Sequence, residues 1–343
     1  MKDNYLITGG AGFIGINLAD HYLFHNKHVT ILDNFSRAGT EDNVRWLQGK
    51  YGSRVNIVRS DIRNADKKLL ELVENVDVVF HQAAQVAVTT SVTEPREDFE
   101  VNALGTFNIL EAVRSSSGRP IVVYSSTNKV YGKMEEVGIK EGNGRYSYAT
   151  LPDGVQETQA LDFYSPYGCS KGAGDQYMID YARIYGLKTI VFRQSCIYGP
   201  HQFGIEDQGR VAWFSIRALQ NRPVTIYGDG KQIRDVLYIE ELIKAYDAAI
   251  ENIDTTSGNA YNIGGGPKNT LSLLELLDIL EKQFGQRLEY SFDDWRPGDQ
   301  RVYVSNISKA RKDFGWEPGI NPEEGVGKLL TWLKQNEHLF TKK

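Results

Sequence analysis

A tyrosine and a lysine four residues apart form the first pair in this sequence whose spacing suggests acid–base chemistry. They are Tyr167 and Lys171, in the run Tyr-Gly-Cys-Ser-Lys that follows Pro166. If this run is helical, both side chains lie on one face and an ammonium stands beside a phenol. A phenol with a pKa near ~10 is a poor base at neutral pH, but a neighbouring positive charge lowers that pKa. We therefore expect the pair to exchange a proton with a bound hydroxyl group.

A short run of hydroxyl residues provides a partner for this pair. Residues 125–127, Ser-Ser-Thr, come directly after the apolar run Ile121 to Tyr124, which is typical of a buried strand. A hydroxyl at the tip of such a strand can hold a substrate oxygen and share its proton. Because Tyr-x-x-x-Lys occurs often by chance, the combination is what indicates a catalytic set, namely Thr127, Tyr167 and Lys171.

Three glycines near the start of the chain have the spacing of a phosphate-binding turn. Gly9, Gly12 and Gly15 follow a short apolar run and open a helical pattern, which gives the motif G-x-x-G-x-x-G. Such a turn needs residues without Cβ, lets the backbone approach a pyrophosphate, and ends at a helix N-terminus with orphan N–H groups. An ordinary strand-to-helix turn is the alternative. The position of the motif between a strand and a helix favours dinucleotide binding.

A carboxylate at the end of the second strand indicates which dinucleotide is bound. Asp33 directly follows the apolar run Val29 to Leu32. A carboxylate there accepts hydrogen bonds from an adenosine ribose and repels a 2′-phosphate, so NAD is favoured over NADP. Arg37 would suit a phosphate, but Asp33 stands at the strand tip and carries more weight.

The elements that must position these residues alternate in the first half of the chain. Short apolar runs are typical of strands at Leu6-Ile7, His28 to Leu32, Val55 to Val58, Val76 to Phe80 and Ile121 to Tyr124. Helical patterns occupy the stretches near 13–26, 64–74, 95–116 and 166–185. Buried strands that alternate with helices predict a Rossmann-type, doubly wound parallel sheet of the α/β class.

The second half is less regular and predicts a smaller lobe. Its strand candidates are Val224 to Tyr227, Ala260 to Ile263 and Leu288 to Phe292, and its helices lie near 239–252, 270–284 and 321–335. We predict an NAD-binding domain over residues 1–195 and a mixed α/β substrate lobe over residues 196–343, with some elements of the lobe returning to the first domain. The polar, glycine-rich segment 133–160 is expected to be an excursion.

Composition argues against several other classes of protein. The chain has 343 residues and a net charge of −5, so binding to nucleic-acid phosphates is not expected. Its two cysteines, Cys169 and Cys196, form no CxxC pair, which fits a reducing compartment without a disulfide framework. His21 and His25 have the spacing of a metal pair, but no third ligand is in view and no metal is predicted. No signal or membrane-spanning run is visible, so we expect a cytoplasmic protein without a membrane partner.

Further motifs along the whole chain are specific to one family. They are Asp61-Ile62-Arg63, His81-Gln82-Ala83-Ala84, Val101-Asn102-Ala103-Leu104-Gly105-Thr106, Val130-Tyr131-Gly132, Tyr198-Gly199-Pro200, Arg234-Asp235-Val236 and Arg296-Pro297-Gly298-Asp299. With the glycine turn and the Thr/Tyr/Lys set, they make the chain resemble an extended short-chain dehydrogenase/reductase of the sugar-nucleotide epimerase/dehydratase family. The resemblance implies a bound NAD and a nucleotide-diphosphate sugar as substrate.

The resemblance also implies which residues bind these molecules. The implied cofactor-binding residues are Gly9, Gly12, Phe13, Ile14, Gly15, Asp33, Asn34, Ser36, Arg37, Asp61, Ile62, Ala83, Ala84, Gln85, Asn102, Ser125, Tyr167 and Lys171. The implied substrate-binding residues are Thr89, Thr127, Asn128, Cys196, Val224, Tyr227, Arg234 and Arg296. By this resemblance Asp61 and Ile62 flank the adenine, and Lys171 holds the nicotinamide ribose. Arg234 and Arg296 grip the diphosphate, because a guanidinium fork suits phosphate oxygens.

Two positions separate the reactions within the family. Dehydratases carry Asp-Glu directly after the catalytic threonine, whereas this chain has Asn128-Lys129. An amide and an ammonium cannot supply the acid and base that eliminate water, so an epimerase is favoured. The 4-epimerases usually carry Asn three residues after the arginine of the sixth strand, Arg193, where this chain has Cys196. This departure weakens a UDP-galactose 4-epimerase interpretation.

The runs at 85–91, 125–132, 165–172 and 299–302 closely resemble one subgroup, the CDP-tyvelose (CDP-paratose) 2-epimerases. Those enzymes invert C2 of a CDP-linked dideoxyhexose made for lipopolysaccharide O-antigen side chains. The choice of C2 over C4 follows from the resemblance and not from any spacing. A C4-epimerase of a UDP-hexose and a non-catalytic NAD-binding protein therefore stay open.

The mechanism implied by the resemblance is oxidation followed by reduction of one carbon. Tyr167 takes the hydroxyl proton while NAD takes hydride, the keto-sugar turns about its diphosphate linkage, and both are returned to the other face. Net redox is zero, so NAD is expected to stay tightly bound between turnovers. Relatives also pair through helices that correspond to 95–116 and 166–185, which implies a homodimer or a higher homo-oligomer.

Overall fold

The computed structural model describes residues 2–296 and 299–340. Pro297 and Gly298, part of one family motif above, lie outside the described residues. The strands are β1 (Asn4–Thr8), β2 (His28–Asp33), β3 (Val55–Arg59), β4 (Val78–His81), β5 (Ile121–Thr127), β6 (Ile139–Gly142), β7 (Arg145–Tyr148), β8 (Thr189–Gln194), β9 (Cys196–Tyr198), β10 (Val224–Tyr227), β11 (Ile233–Tyr238), β12 (Asn259–Ile263), β13 (Thr270–Leu271), β14 (Tyr290–Asp293) and β15 (Val302–Tyr303).

Helices connect most of these strands. The α-helices are α1 (Phe13–Phe24), α2 (Thr40–Tyr51), α3 (Lys67–Glu74), α4 (Val88–Thr93), α5 (Pro95–Phe99), α6 (Gly105–Ser115), α7 (Pro166–Tyr185), α8 (Arg210–Leu219), α9 (Ile239–Glu251), α10 (Ile253–Thr256), α11 (Leu273–Phe284), α12 (Ser308–Phe314) and α13 (Pro322–Gln335). Short 3-10 turns cover Gly52–Arg54, Asn128–Tyr131 and Glu337–Leu339, and a π turn covers Glu100–Leu104.

Seven strands form one sheet in the order β12-β8-β5-β4-β1-β2-β3. The pairs β1–β2, β1–β4, β2–β3 and β4–β5 are parallel. From β1 the chain adds β2 and β3 on one side of the sheet, and it then returns to add β4, β5, β8 and β12 on the other side. In a doubly wound sheet this reversal marks the switch point, where the carboxyl ends of the strands open onto a ligand crevice. The structure thus confirms the predicted Rossmann-type α/β sheet.

The first compact unit contains this sheet and consists of Met1–Val130, Ser165–Arg193 and Tyr246–Tyr261. Successive side chains of a strand point to opposite faces, so both faces of the sheet can bury apolar groups. On one face Leu6, Val79 and Val122 pack into a core built with α3, α6 and α7. On the other face Tyr22 of α1 stacks on Phe80 at 5.5 Å between ring centroids. The sheet is therefore covered on both sides.

The second compact unit consists of Tyr131–Tyr164, Gln194–Ala245 and Asn262–Lys343. Strand β11 is the centre of a small mixed sheet, pairing parallel with β9 and β15 and antiparallel with β13. Two further pairs are β10 with β14, which is parallel, and β6 with β7, which is antiparallel.

One segment departs from the predicted division at residue 195, and another is an element of the lobe that returns to the first domain, as the prediction allowed. Residues 131–164 belong to the second unit, where the backbone N–H of Val155 donates to the carbonyl of Val304 at 2.8 Å. Residues 246–261 belong to the first unit, where the N–H of Gly258 donates to the first residue of β8 at 2.7 Å. These long-range backbone contacts connect segments that are distant in sequence, which a boundary drawn at one position cannot represent.

The helix predicted near 166–185 is confirmed as α7, Pro166–Tyr185. The single helix predicted over 95–116 is instead α5, the π turn and α6 in succession. In the part of the chain that the structure describes, no helix combines the length and the apolar character needed to cross a membrane.

Candidate active site

The glycine turn lies between β1 and α1, at the switch point of the sheet. Gly9 has a φ of +66°, and a Cβ there would lie 2.6 Å from the backbone nitrogen of Ala83. A Cβ on Gly15 would lie 2.5 Å from Cα of Gly10. Packing of the protein itself therefore requires glycine at these two positions.

Gly12 differs from the other two glycines of the motif. A Cβ there would meet one atom, the Gly9 carbonyl oxygen, at 3.2 Å. Gly12 is also the N-cap of α1, and within the described residues no side chain caps this end of the helix. Phe13 and Ile14 form the first turn, so their N–H groups stay available to an anion. This combination of an open backbone and uncapped N–H groups fits a pyrophosphate.

Asp33 ends β2 and is buried with both carboxylate oxygens bonded to backbone. Its Oδ2 accepts the N–H of Ala11 at 3.0 Å, and its Oδ1 accepts the N–H of Phe35 at 2.8 Å. Burial raises the pKa of this carboxyl, while the two N–H groups and the charge of Arg37 lower it. Asp33 therefore fixes the glycine turn relative to the end of β2.

The residues expected around the adenine form a small polar cluster after β3. Asp61 accepts Nη2 of Arg63 at 2.7 Å and Nδ2 of Asn34 at 2.9 Å. The hydrogen bond from Arg63 is the main reason why the pKa of Asp61 falls to about 2. The side chain of Asn34 also accepts the N–H of Ser36 at 3.0 Å. Ile62 is buried beside this cluster.

Three of the side chains expected to bind the cofactor form hydrogen bonds with other groups of the protein. Nε2 of Gln85 donates to Asp98 at 2.8 Å, and Nδ2 of Asn102 donates to the same carboxylate at 3.1 Å. The hydroxyl of Ser125 donates to Gln82 and lies 2.7 Å from the Tyr246 hydroxyl. Ala83 and Ala84 have methyl side chains, so at these positions any polar contact with a cofactor must come from backbone groups.

Local sequence explains the start and the end of the helix that carries Tyr167 and Lys171. Ser165 is the N-cap, and its side chain accepts the N–H of Gly168 at 3.0 Å. Pro166 occupies the first helical turn, where its missing N–H costs nothing. The helix ends at Gly186, which has a φ of +67°. This places Tyr167 in the first turn of α7 and Lys171 one turn later.

The structure brings Thr127 and Tyr167 together and places Lys171 one helical turn after Tyr167 on α7. Thr127 ends β5, and its hydroxyl is close enough to the Tyr167 phenol to lower the phenol's pKa. Tyr167 and Lys171 are both buried on α7. Asn128 begins the 3-10 turn that follows, with its Oδ1 3.4 Å from the Thr127 hydroxyl. Thr89, in the first turn of α4, is exposed.

The protein's own groups do not lower the pKa of the Tyr167 phenol below its ordinary value. Burial raises the pKa of Tyr167 to about 12; Thr127 and Arg37 lower it, and Asp98 raises it. Burial also lowers the pKa of the Lys171 ammonium to about 7, against the opposing charges of Asp98 and Asp175. Desolvation outweighs the i, i+4 proximity on which the prediction depended.

Sequence reasoning missed two buried carboxylates that support this set. Asp98 accepts hydrogen bonds from α7 through Ser170, and Asp175 accepts the hydroxyl of Ser126 at 2.8 Å. Asp175 also forms two hydrogen bonds of 2.9 Å with the guanidinium of Arg193. The i, i+4 spacing of Lys171 and Asp175 was the available signal.

The expected substrate residues of the second unit include two arginines held by carboxylates. Arg234 on β11 is buried and donates to Asp299 at 2.7 Å. Arg296 pairs with Asp207 at 3.0 Å, and its guanidinium lies 3.8 Å from the centre of the Tyr227 ring. Two further positions lie on strands of this unit: Cys196 on β9, next to β11, and Val224 at the start of β10.

Comparison of the chain with known proteins finds similarity to one family of NAD-dependent enzymes. Residues 5–264 match the NAD dependent epimerase/dehydratase family. The chain is 45% identical over 333 residues to the CDP-paratose 2-epimerase of Salmonella typhi, covering 95% of this chain and 98% of that protein. It is 35% identical to a putative UDP-glucose 4-epimerase of Methanocaldococcus jannaschii, covering 96% and 98%. The crystal structure of a Bacillus cereus UDP-glucuronic acid 4-epimerase with UDP-glucuronic acid and NAD aligns with a TM-score of 0.81 at 29% identity, covering 97% of this chain and 99% of that one.

Proposed function

This chain belongs to the NAD-dependent epimerase/dehydratase family, and we propose that it interconverts CDP-paratose and CDP-tyvelose by inverting C2 of the sugar. NAD is the cofactor. The observation that carries the proposal is the buried set of Thr127, Tyr167 and Lys171 at the carboxyl ends of parallel strands, in a chain 45% identical to a CDP-paratose 2-epimerase. A UDP-hexose 4-epimerase is the second candidate, favoured by the 35% identity to a putative UDP-glucose 4-epimerase.

Tyr167 exchanges the proton of the reacting sugar hydroxyl at its phenolic oxygen. Bound NAD would supply the hydride acceptor and donor, and the positive charge of its oxidised ring would favour the ionised form of the Tyr167 phenol. Thr127 donates a hydrogen bond to the reacting oxygen and keeps it within reach of Tyr167. Lys171 supplies an ammonium that stabilises the phenolate. Burial raises the pKa of Tyr167 to about 12. The phenol can therefore act as a base near neutral pH only if nearby positive charge lowers that pKa.

Arg234 and Arg296 hold the substrate diphosphate in this proposal. Each guanidinium already has a carboxylate partner, Asp299 or Asp207, which fixes its orientation before phosphate binds. A guanidinium offers five N–H donors, so it can keep one carboxylate and still bind phosphate oxygens. Val224, Tyr227 and Cys196 complete the substrate contacts by family resemblance.

The position of hydrogen during turnover tests this mechanism. CDP-paratose deuterated at C2 is incubated with the enzyme in ordinary water, and the product is examined by NMR and mass spectrometry. We expect CDP-tyvelose that keeps deuterium at C2, because hydride leaves and returns within one site. Loss of deuterium to solvent would contradict the mechanism, since it indicates removal of the carbon-bound hydrogen as a proton. A Tyr167→Phe enzyme serves as the inactive control.

We also propose that the protein is a homodimer that acts in the cytoplasm in O-antigen synthesis. Both cysteines are free thiols, which suits a reducing compartment. Helices α6 and α7 expose Phe107, Tyr177 and Ile184, the last at 61%, and such apolar faces are typical of an interface. Ile184→Glu should halve the mass measured by light scattering. Phe24→Glu is the control, because Phe24 is 69% exposed on α1 and should leave the mass unchanged.

A further inference from the structure

Tyr124 lies beneath the catalytic set and has no role in the mechanism above. It is fully buried on β5, three residues before Thr127. The face of its ring lies 4.1 Å from Nζ of Lys171. Two backbone features hold the ring in this orientation. Its hydroxyl donates to the Lys171 carbonyl at 3.3 Å, and Gly174 leaves the space it occupies, since a Cβ there would lie 2.5 Å from that hydroxyl.

The other groups that face Lys171 offer it little direct compensation. His81 on β4 is buried and neutral, because burial and the charge of Lys171 lower its pKa to about 3. Asp98 bonds to Ser170, Gln85 and Asn102, and Asp175 bonds to Arg193 and Ser126. Within residues 2–296 and 299–340 no carboxylate forms an ion pair with the Lys171 ammonium.

From this geometry we infer that Tyr124 is a positioning residue, whose ring face holds the Lys171 ammonium in its charged form, one helical turn after the catalytic tyrosine. The negative face of an aromatic ring attracts a cation, and the attraction is strongest where both groups are desolvated. Lys171 meets that condition, because it is buried and the carboxylates of Asp98 and Asp175 act on it only at longer range, Asp175 being paired with Arg193. The inference rests on the proposed function for the role of Lys171 in catalysis.

The predicted consequence is a shift in the protonation of Lys171. Burial lowers the pKa of this lysine to about 7 against the opposing charges of Asp98 and Asp175, so the loss of a stabilising contact discharges it in the neutral range. Removing the ring lowers the pKa of Lys171, so the ammonium loses its proton at a lower pH than in the parent enzyme. We expect a displacement of about one pH unit, the amount that a desolvated cation–π contact supplies. The alkaline limb of kcat should move with it, while KM changes little.

Two substitutions separate the ring from its hydroxyl. Tyr124→Phe keeps the ring and removes the hydroxyl, and Tyr124→Leu removes both. The holoenzyme is labelled at the ε carbon of lysine, and the Lys171 signal is assigned by its absence in Lys171→Arg. The Phe variant should titrate within a few tenths of a pH unit of the parent, and the Leu variant about one unit lower. Equal titration of the Phe and Leu variants, whether shifted or not, overturns the inference.

A second measurement removes the dependence on a stable Leu variant. Pentafluorophenylalanine at position 124 keeps the shape of the ring but reverses the charge distribution on its face. We expect Lys171 to titrate as in the Leu variant, below the Phe variant, and an unchanged midpoint refutes the role of the ring. The titration needs no turnover. An enzyme that fails to act on a nucleotide sugar but shows the ring-dependent shift therefore contradicts the proposed function and not this inference.

Discussion

The buried ion pair between Arg193 and Asp175 should be one of the most sensitive points of the first unit. Side-chain exposure is 4% for Arg193 and 0% for Asp175, and Nε and Nη2 each lie 2.9 Å from a carboxylate oxygen. The pair ties β8 to α7 one turn beyond Lys171, and Asp175 also accepts the hydroxyl of Ser126 beside Thr127. Breaking the pair therefore loosens the helix that carries the catalytic residues.

The expected loss in free energy of unfolding can be worked out from the hydrogen bonds that the substitution Arg193→Met removes and the charge that it leaves buried. Two hydrogen bonds to a charged group are lost, at ~1.5–3 kcal/mol each. Among the residues that the structure describes, the carboxylate of Asp175 then keeps hydrogen bonds from Ser126 and Gln176 while it stays buried. Removing one member of a buried pair costs about 3–5 kcal/mol, whereas replacing both members by apolar groups is often close to neutral. We therefore expect Arg193→Met to lower the free energy of unfolding by about 3–5 kcal/mol.

Urea unfolding of a double-mutant cycle checks this reasoning. The variants are Arg193→Met, Asp175→Leu and the double variant, followed by fluorescence and circular dichroism together to verify a single transition. The double variant should be more stable than Arg193→Met alone, because no buried charge remains. A cost below about 1 kcal/mol for Arg193→Met, or a double variant that loses the sum of both single changes, would refute the account.

Three further outcomes are expected. Gly15→Ala places a Cβ 2.5 Å from backbone and should lower both the melting temperature and the amount of co-purified NAD. Gly49→Ala is the control, because a Cβ there has nothing within 4 Å and should lower neither. Equal behaviour of the two variants would contradict the packing argument. His81 keeps a pKa of about 3 when folded and regains one near 6.5 when unfolded, so the stability linked to it is complete above pH 6.5 and falls as pH drops. His81→Asn should therefore lose less unfolding free energy than the parent between pH 6.5 and 5, as measured in urea, and an equal loss would count against a neutral buried histidine. Tyr167→Phe should reduce kcat by ~10²–10⁴ while leaving the NAD content of the purified protein unchanged, and near-normal kcat would remove Tyr167 from the mechanism.

Sequence patterns predicted the features that depend on local chemistry. Strands β1 to β5 follow from apolar runs and the helix of Tyr167 from the Ser165-Pro166 start, and the structure confirms them; no strand candidate covered β8. The protonation behaviour of the site could not be predicted in this way. The pKa of Tyr167 depends mainly on burial, which arises from packing of many segments and which no spacing records.

The hydrogen-bond partners of buried polar side chains could not be predicted from the sequence either. Gln85 and Asn102 belong to motifs that imply cofactor contact, yet both amides bond to Asp98, which no motif singled out. The assignment of residues 131–164 to the second unit depends on backbone contacts with strands more than a hundred residues later in the chain. The Asp98 contacts are close in sequence but marked by no motif, whereas the contact between Val155 and Val304 joins residues that are far apart in sequence.

The most direct test of the account is proton NMR of the purified enzyme with CDP-paratose, without added NAD, and with UDP-galactose in a parallel sample. We expect CDP-paratose to be converted to CDP-tyvelose by inversion at C2, driven by NAD that the protein has retained. Conversion of the UDP-hexose alone, at C4, would keep the chemistry but contradict the proposed substrate. Absence of any reaction in both samples would contradict the epimerase proposal for these substrates and favour a protein that binds NAD without catalysis.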